Sequence, residues 1–268
     1  MTADVLTRNN VRVLGTGARA LVFAQGFGFD LHTWRHVAPA FADDYRIVLF
    51  DYVGAGGSDL AAYDASRYRT LDGYASDLLD VCAALDLESV TVVGHSVSAM
   101  IAVLASVREP ARFHRLVLVC PSPCYRNDPP HYHGGFEREQ LDELLELMDH
   151  DRDGFARYLA PVVAQNPERP ELAEEIRTNF SVADPWILRR FAEPTFLSDN
   201  RPEIARVTVP TLILQSAADP IAPPEVGVYL HQHLAGSTLH LLRTTGHAPH
   251  LSDPAELVAA IRQYLRAS

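Results

Sequence analysis

The chain has 268 residues, 47% of them hydrophobic, enough for one globular unit with a sizeable core and an inserted subdomain. Its formal net charge is −11, with 34 acidic residues against 23 basic ones, all of them arginine. This balance argues against nucleic acid or an anionic membrane as partner, and no apolar run reaches membrane-spanning length.

In chain order, residues 1–5 lack the apolar core of a signal peptide, so a cytoplasmic protein is expected. Residues 11–14 begin a sheet. Residues 20–24 read as a buried strand and lead into Gln25-Gly26-Phe27-Gly28-Phe29, a glycine turn. Residues 46–50 form another buried strand and run into the glycine-rich loop 51–58. That loop has no lysine and the wrong spacing for a phosphate cradle, so no nucleotide cofactor is expected. Leu71, Tyr74, Leu78, Cys82 and Leu85 recur at helical spacing and predict a helix packed on the sheet. Residues 90–93 are a strand, 94–98 read Gly-His-Ser-Val-Ser, and 99–104 are a buried helix. A serine flanked by small residues on a strand-to-helix turn is the pattern of a nucleophile elbow, although the last position is Ser98 where G-x-S-x-G has glycine. The strand 116–120 follows.

From about Tyr125 to Phe196 the alternation breaks. After a polar, proline-containing loop come four helical patterns, marked by Leu141/Leu144/Leu145/Met148, Phe155/Leu159/Val162, Leu172/Ile176 and Ile187/Leu188/Phe191. The predicted organisation is a core of residues 1–124 and 197–268 with a helical lid, 125–196, inserted above the strand ends. Strands 211–215 and 238–242 complete the sheet. Asp253-Pro254 is an N-cap and N1 pair for a last helix carrying Leu257, Ile261 and Leu265. Strands alternating with helices predict an α/β fold with a mostly parallel sheet covered on both faces.

A serine hydroxyl needs a histidine base, and the histidine needs a carboxylate to hold its tautomer. In an α/β-hydrolase fold the order is Ser, acid, His. Asp219 stands just past strand 211–215, and His247 stands behind Gly246 in the loop beyond strand 238–242. Ser96, Asp219 and His247 are therefore the expected catalytic triad. The rival acid Asp128 lies well beyond the end of its strand. The rival base His250 lacks a preceding glycine. The N–H groups of Val97 and Phe27 are the expected oxyanion hole, with the glycines letting backbone approach substrate. The three cysteines, Cys82, Cys120 and Cys124, suit a reducing compartment and form no zinc pattern. The pairs His131/His133 and His231/His233 read as surface polar residues, so no metal is expected.

These residues carry a family resemblance. Gly26-Phe27-Gly28, Asp43-Asp44-Tyr45-Arg46, Gly54-Ala55-Gly56, the elbow through Met100, Tyr125-Arg126-Asn127-Asp128, Gly134-Gly135-Phe136-Glu137, Leu214-Gln215-Ser216 and Gly246-His247 resemble the RsbQ-like branch of the α/β-hydrolase family. That branch also contains the karrikin and strigolactone receptors of plants. The resemblance covers nearly the whole chain, and the elbow with Ser98 is characteristic of the branch. It implies the same triad and a V-shaped four-helix lid over a hydrophobic pocket lined by Phe27, Tyr125, Phe136 and Phe196. It also implies a small hydrophobic ester or lactone-like substrate, a monomer, and a PAS-domain phosphatase as candidate signalling partner. Gln25 departs from the family, where histidine usually precedes Gly-Phe-Gly. A dehalogenase would need aspartate at position 96. Two classes stay open: a hydrolase with repeated turnover, and a ligand receptor with slow or single turnover.

Overall fold

The computed structural model describes residues 4–267, so the start of the N-terminal segment lies outside the described residues. In chain order the elements are α1 (Val5–Arg8), β1 (Arg12–Leu14), β2 (Arg19–Ala24), β3 (Tyr45–Leu49), α2 (Leu71–Ala84), β4 (Val90–His95), α3 (Val97–Arg108) and β5 (Phe113–Val119). Then come α4 (Arg138–His150), α5 (Arg152–Ala164), α6 (Pro170–Val182), α7 (Pro185–Leu197), α8 (Arg201–Ile204), β6 (Thr211–Ala218), α9 (Pro224–His233), β7 (Ser237–Thr245), α10 (Pro249–Ser252) and α11 (Pro254–Arg266).

The seven strands form one sheet in the order β1-β3-β2-β4-β5-β6-β7. Every pairing is parallel except that of β1 with β3. The chain steps outward from β2 to β3, then crosses back to place β4 on the other side of β2. That reversal opens a crevice beyond the carboxyl ends of β2 and β4, where α/β sheets bind ligands. The loops after these two strands are the ones carrying Phe27 and Ser96.

Central strands read as unbroken apolar runs because both faces are covered. Val22, Ala24, Val48, Val92, Leu116 and Leu118 face the layer of α2, α3 and α9. Their neighbours Leu21, Phe23, Ile47, Val93, Val117 and Val119 face Trp34, Phe41 and the Leu257/Ile261 stripe of α11. Each fully buried aliphatic side chain of this kind contributes about 1.5–3 kcal/mol. The Asp253 side chain accepts the N–H of Glu256, so the last helix is capped as its sequence predicts.

Helices α4–α7 lie between β5 and β6 in the chain, with α5 packed on α4 and α6, and α4 also on α7. Arg152, at the start of α5, donates to the carbonyls of Phe180 (3.1 Å), Ser181 (2.6 Å) and Ala183 at the end of α6. A cation there answers both the free carbonyls and the helix dipole. Arg152→Ala is expected to cost about 1–3 kcal/mol, read as a lower urea midpoint at unchanged slope; an unchanged midpoint would remove this role.

Candidate active site

Ser96 follows β4 directly and caps α3, with φ 55° and ψ −122°. A non-glycine residue in this region is strained, and the surrounding packing must hold it there. Two bare backbones make the space. A Cβ on Gly94 would stand 2.5 Å from the Ser98 carbonyl oxygen, and one on Gly26 would stand 2.4 Å from His95 Nδ1. Larger residues at 26 and 94 would push the turn apart.

The three residues expected from the sequence meet. Ser96 Oγ is 2.8 Å from His247 Nε2, and His247 Nδ1 is 2.7 Å from Asp219 Oδ2. Asp219 accepts the N–H groups of Ile221 (2.9 Å) and Ala222 (3.0 Å) on its other oxygen. An acceptor-only carboxylate therefore sets the imidazole with its proton on Nδ1 and leaves Nε2 to accept from Ser96. All three residues are buried. The rivals stand elsewhere. Asp128 pairs with Arg201 at 2.9 Å, and His250 Nε2 lies 2.6 Å from Thr33 Oγ1.

The backbone of His247 is held from both sides. Its N–H donates to Val163 of α5 at 2.8 Å, and its carbonyl accepts from His95 Nε2 at 2.7 Å. Gly246 has φ +84°, and a Cβ there would stand 2.3 Å from the Ala164 carbonyl oxygen, so the turn into His247 requires glycine. Burial, with His250 and His247 close by, holds His95 far below the ordinary histidine range, so it stays neutral with its proton on Nε2. Burial also pushes His250 down to about 3.

Val97 supplies the first N–H of α3, and Phe27 lies in the loop after β2. Neither N–H donates to a backbone acceptor among the described residues. Ser98 ties these two segments together. Its hydroxyl donates to the Gln25 carbonyl and accepts from Tyr52 Oη at 2.9 Å. The departure from glycine at this elbow position thus adds a bond that glycine could not make. Ser98→Ala is expected to lower kcat about tenfold and to cost about 1–3 kcal/mol, because two buried polar groups lose that partner. Steady-state kinetics with thermal melting would show it, and wild-type values of both would refute it.

The chamber over Ser96 has a volume of about 30 Å3 and is walled by Phe27, Tyr125, Phe180 and Phe196 with Leu159 and Ile221. Phe136 does not line it. Phe136 lines an adjoining groove of about 300 Å3 that shares Leu159 and Ile221 with the chamber. Tyr125 does more than line the wall: its Oη is 3.2 Å from Ser96 Oγ. Ser96 gives its own proton to His247, so Tyr125 donates, and burial raises its pKa and keeps it protonated. The roles of His95 and Ser98, and the polar contact of Tyr125, were not anticipated from the sequence. A polar residue next to the elbow was the only available signal.

Cys120 Sγ, Asp219 and His247 place potential ligand atoms within 4.8 Å of one another. Asp219 and His247 are already bonded together, and burial and Asp219 raise the Cys120 thiol well above its ordinary range. A protonated thiol is a poor metal ligand. In α9, His231 bonds Ser237 and His233 stacks on Tyr229, so they point apart. No described helix is long and apolar enough to cross a membrane.

The parallel sheet and the Ser–His–Asp chain at its carboxyl edge describe a hydrolase of the α/β class. Residues 21–261 match the model of the alpha/beta hydrolase family, and the chain belongs to that family. A strigolactone esterase, D14 of Arabidopsis thaliana, is 39% identical over 263 residues, spanning 98% of each chain. The Karrikin insensitive 2 receptor CA of Petunia hybrida is 39% identical, covering 96% of this chain and 95% of that one. The solved structure of olei00960, a hydrolase from Oleispira antarctica, matches with a TM-score of 0.97 at 40% identity, covering 99% of this chain and 97% of that one. These relatives bear out the branch expected from the sequence.

Proposed function

We propose that this protein cleaves small, uncharged, apolar esters or lactones by acyl transfer from Ser96 to water. The observation that carries the reading is the unbroken chain from Ser96 Oγ through His247 to Asp219, with contacts of 2.8 and 2.7 Å. As Ser96 Oγ attacks the carbonyl carbon, its proton passes to His247 Nε2. The carbonyl oxygen takes the negative charge and meets the N–H groups of Phe27 and Val97 at the positive end of α3. His247 then gives the proton to the leaving alkoxide. Water repeats the sequence on the acyl-enzyme and restores Ser96. Phe27, Tyr125 and Phe196 hold the substrate, with Phe136 on the approach. Residues 125–196 act as the lid over the core formed by 1–124 and 197–268. Beyond the triad, His95, Tyr125 and Thr195 the walls are apolar and no arginine lines them, which favours a neutral substrate.

A second reading is supported by the receptor name of the petunia relative. Here the same triad turns over slowly or once, and the ligand-bound protein, a cytoplasmic monomer, reports to a PAS-domain phosphatase in an RsbQ-like stress response. Stopped-flow and steady-state assays with p-nitrophenyl acetate and butyrate separate the two. Fast repeated turnover that is lost in Ser96→Ala supports the hydrolase. A burst of one product per protein followed by slow release, also lost in Ser96→Ala, supports the receptor. Turnover unchanged in Ser96→Ala would sink both.

A further inference from the structure

Beside the catalytic chamber lies a second cavity of about 110 Å3, bounded by Tyr52, Tyr74, Leu188 and Phe191 and reaching the surface at Leu60 and Val182. The loop after β2 runs between the two. Phe27 lines the catalytic chamber, while Gly26 and Gly28 line the second cavity. Helix α6 divides in the same way: Phe180 lines the catalytic chamber, and Asn179 and Val182 line the other.

The wall between them is shared: Phe29 borders both cavities, the Phe27 ring lies 5.6 Å from that of Phe191 in the second, and α6 contributes the ring of Phe180. The Phe180 ring is buried, 5.9 Å from the Phe27 ring and 5.5 Å from that of Phe155. A Cβ on Gly28 would stand 2.3 Å from its Cε1, so the ring lies directly on bare backbone. With the ring in place the catalytic chamber, at about 30 Å3, has room for roughly two or three waters.

We infer that Phe180 is a specificity-determining partition: it restricts the protein to short acyl groups, and the cavity behind it is the space a medium-length apolar chain enters when residue 180 is small. The inference rests on the hydrolase reading above. A hydrophobic pocket discriminates by roughly tenfold or more for a methylene it cannot place.

The test compares kcat/KM for p-nitrophenyl acetate and octanoate in wild type, Phe180→Ala and the milder Phe180→Leu. The octanoate-to-acetate ratio is expected to rise at least tenfold in one or both variants that melt cooperatively. A ratio within threefold of wild type in both overturns the partition. So does an equal rise in Phe136→Ala, which would place the chain in the other groove. If wild type hydrolyses neither ester faster than Ser96→Ala, the hydrolase reading fails, and the partition is read by binding alone. Octan-1-ol is then expected to raise the Tm of Ser96→Ala/Phe180→Leu by more than that of Ser96→Ala. Equal shifts would overturn the partition.

Discussion

Asp219→Asn is expected to lower kcat about 10⁴-fold on any ester the protein turns over, while leaving the fold intact. The reason is the way Asp219 is held. One oxygen accepts two backbone N–H groups, from Ile221 and Ala222, and the other accepts Nδ1–H of His247. An asparagine must turn its oxygen toward the two N–H groups, so its NH2 faces Nδ1. Nδ1 then becomes an acceptor, the ring proton moves to Nε2, and Nε2 can no longer take the Ser96 proton. Burst amplitude and steady-state rate, with a far-ultraviolet spectrum as control, would show this. A loss of less than tenfold would mean that Asp219 does not set the tautomer.

Stability is expected to fall steeply between pH 6.5 and 5. His95 and His250 are buried side by side, ring centroids 4.4 Å apart, and both have depressed pKa values in the folded state, His250 to about 3. A histidine depressed on folding binds its proton in the unfolded chain first. Its contribution is present above the unfolded value near 6.5 and is lost as pH falls toward the folded value. Each such group gives a slope of about 1.4 kcal/mol per pH unit, so the pair gives roughly 2.7. Ordinary carboxylates titrate below this window. Urea unfolding at pH 7.5, 6.0 and 5.0 would measure the slope, and His250→Gln should halve it. A slope below about half a proton would show that neither ring is held neutral.

Much of the fold was legible because it depends on local rules. The apolar runs 20–24, 46–50 and 90–93 are the strands β2, β3 and β4, since strands buried on both faces cannot alternate. The element boundaries were less legible. Strand β5 starts at Phe113 and β7 extends to Thr245, beyond the runs 116–120 and 238–242. Pairing partners carry those extra residues, and pairing is not written in the segment itself. Short turns such as Leu31–Trp34 are held by contacts with distant residues, here Phe23 and His250 against Trp34.

The candidate triad was legible from order and position: a serine after one strand, an acid after another, a histidine after a third. Phe136 shows the limit. A resemblance placed it on the pocket wall, yet it faces the neighbouring groove, because the depth of an aromatic ring depends on how α4 and α5 settle against each other. Sequence by itself determined the chemistry on offer, since the residue types, their order and the small residues around Ser96 are local properties of the chain. Only tertiary structure decided how that chemistry is held and how large its chamber is. The Ser98 bond to the Gln25 carbonyl, the His95 bond to the His247 carbonyl and the Phe180 ring on Gly28 join residues 73, 152 and 152 positions apart. Contacts over such separations form only when the sheet and its insert are packed together, because the packing that orders them offsets the chain entropy they cost.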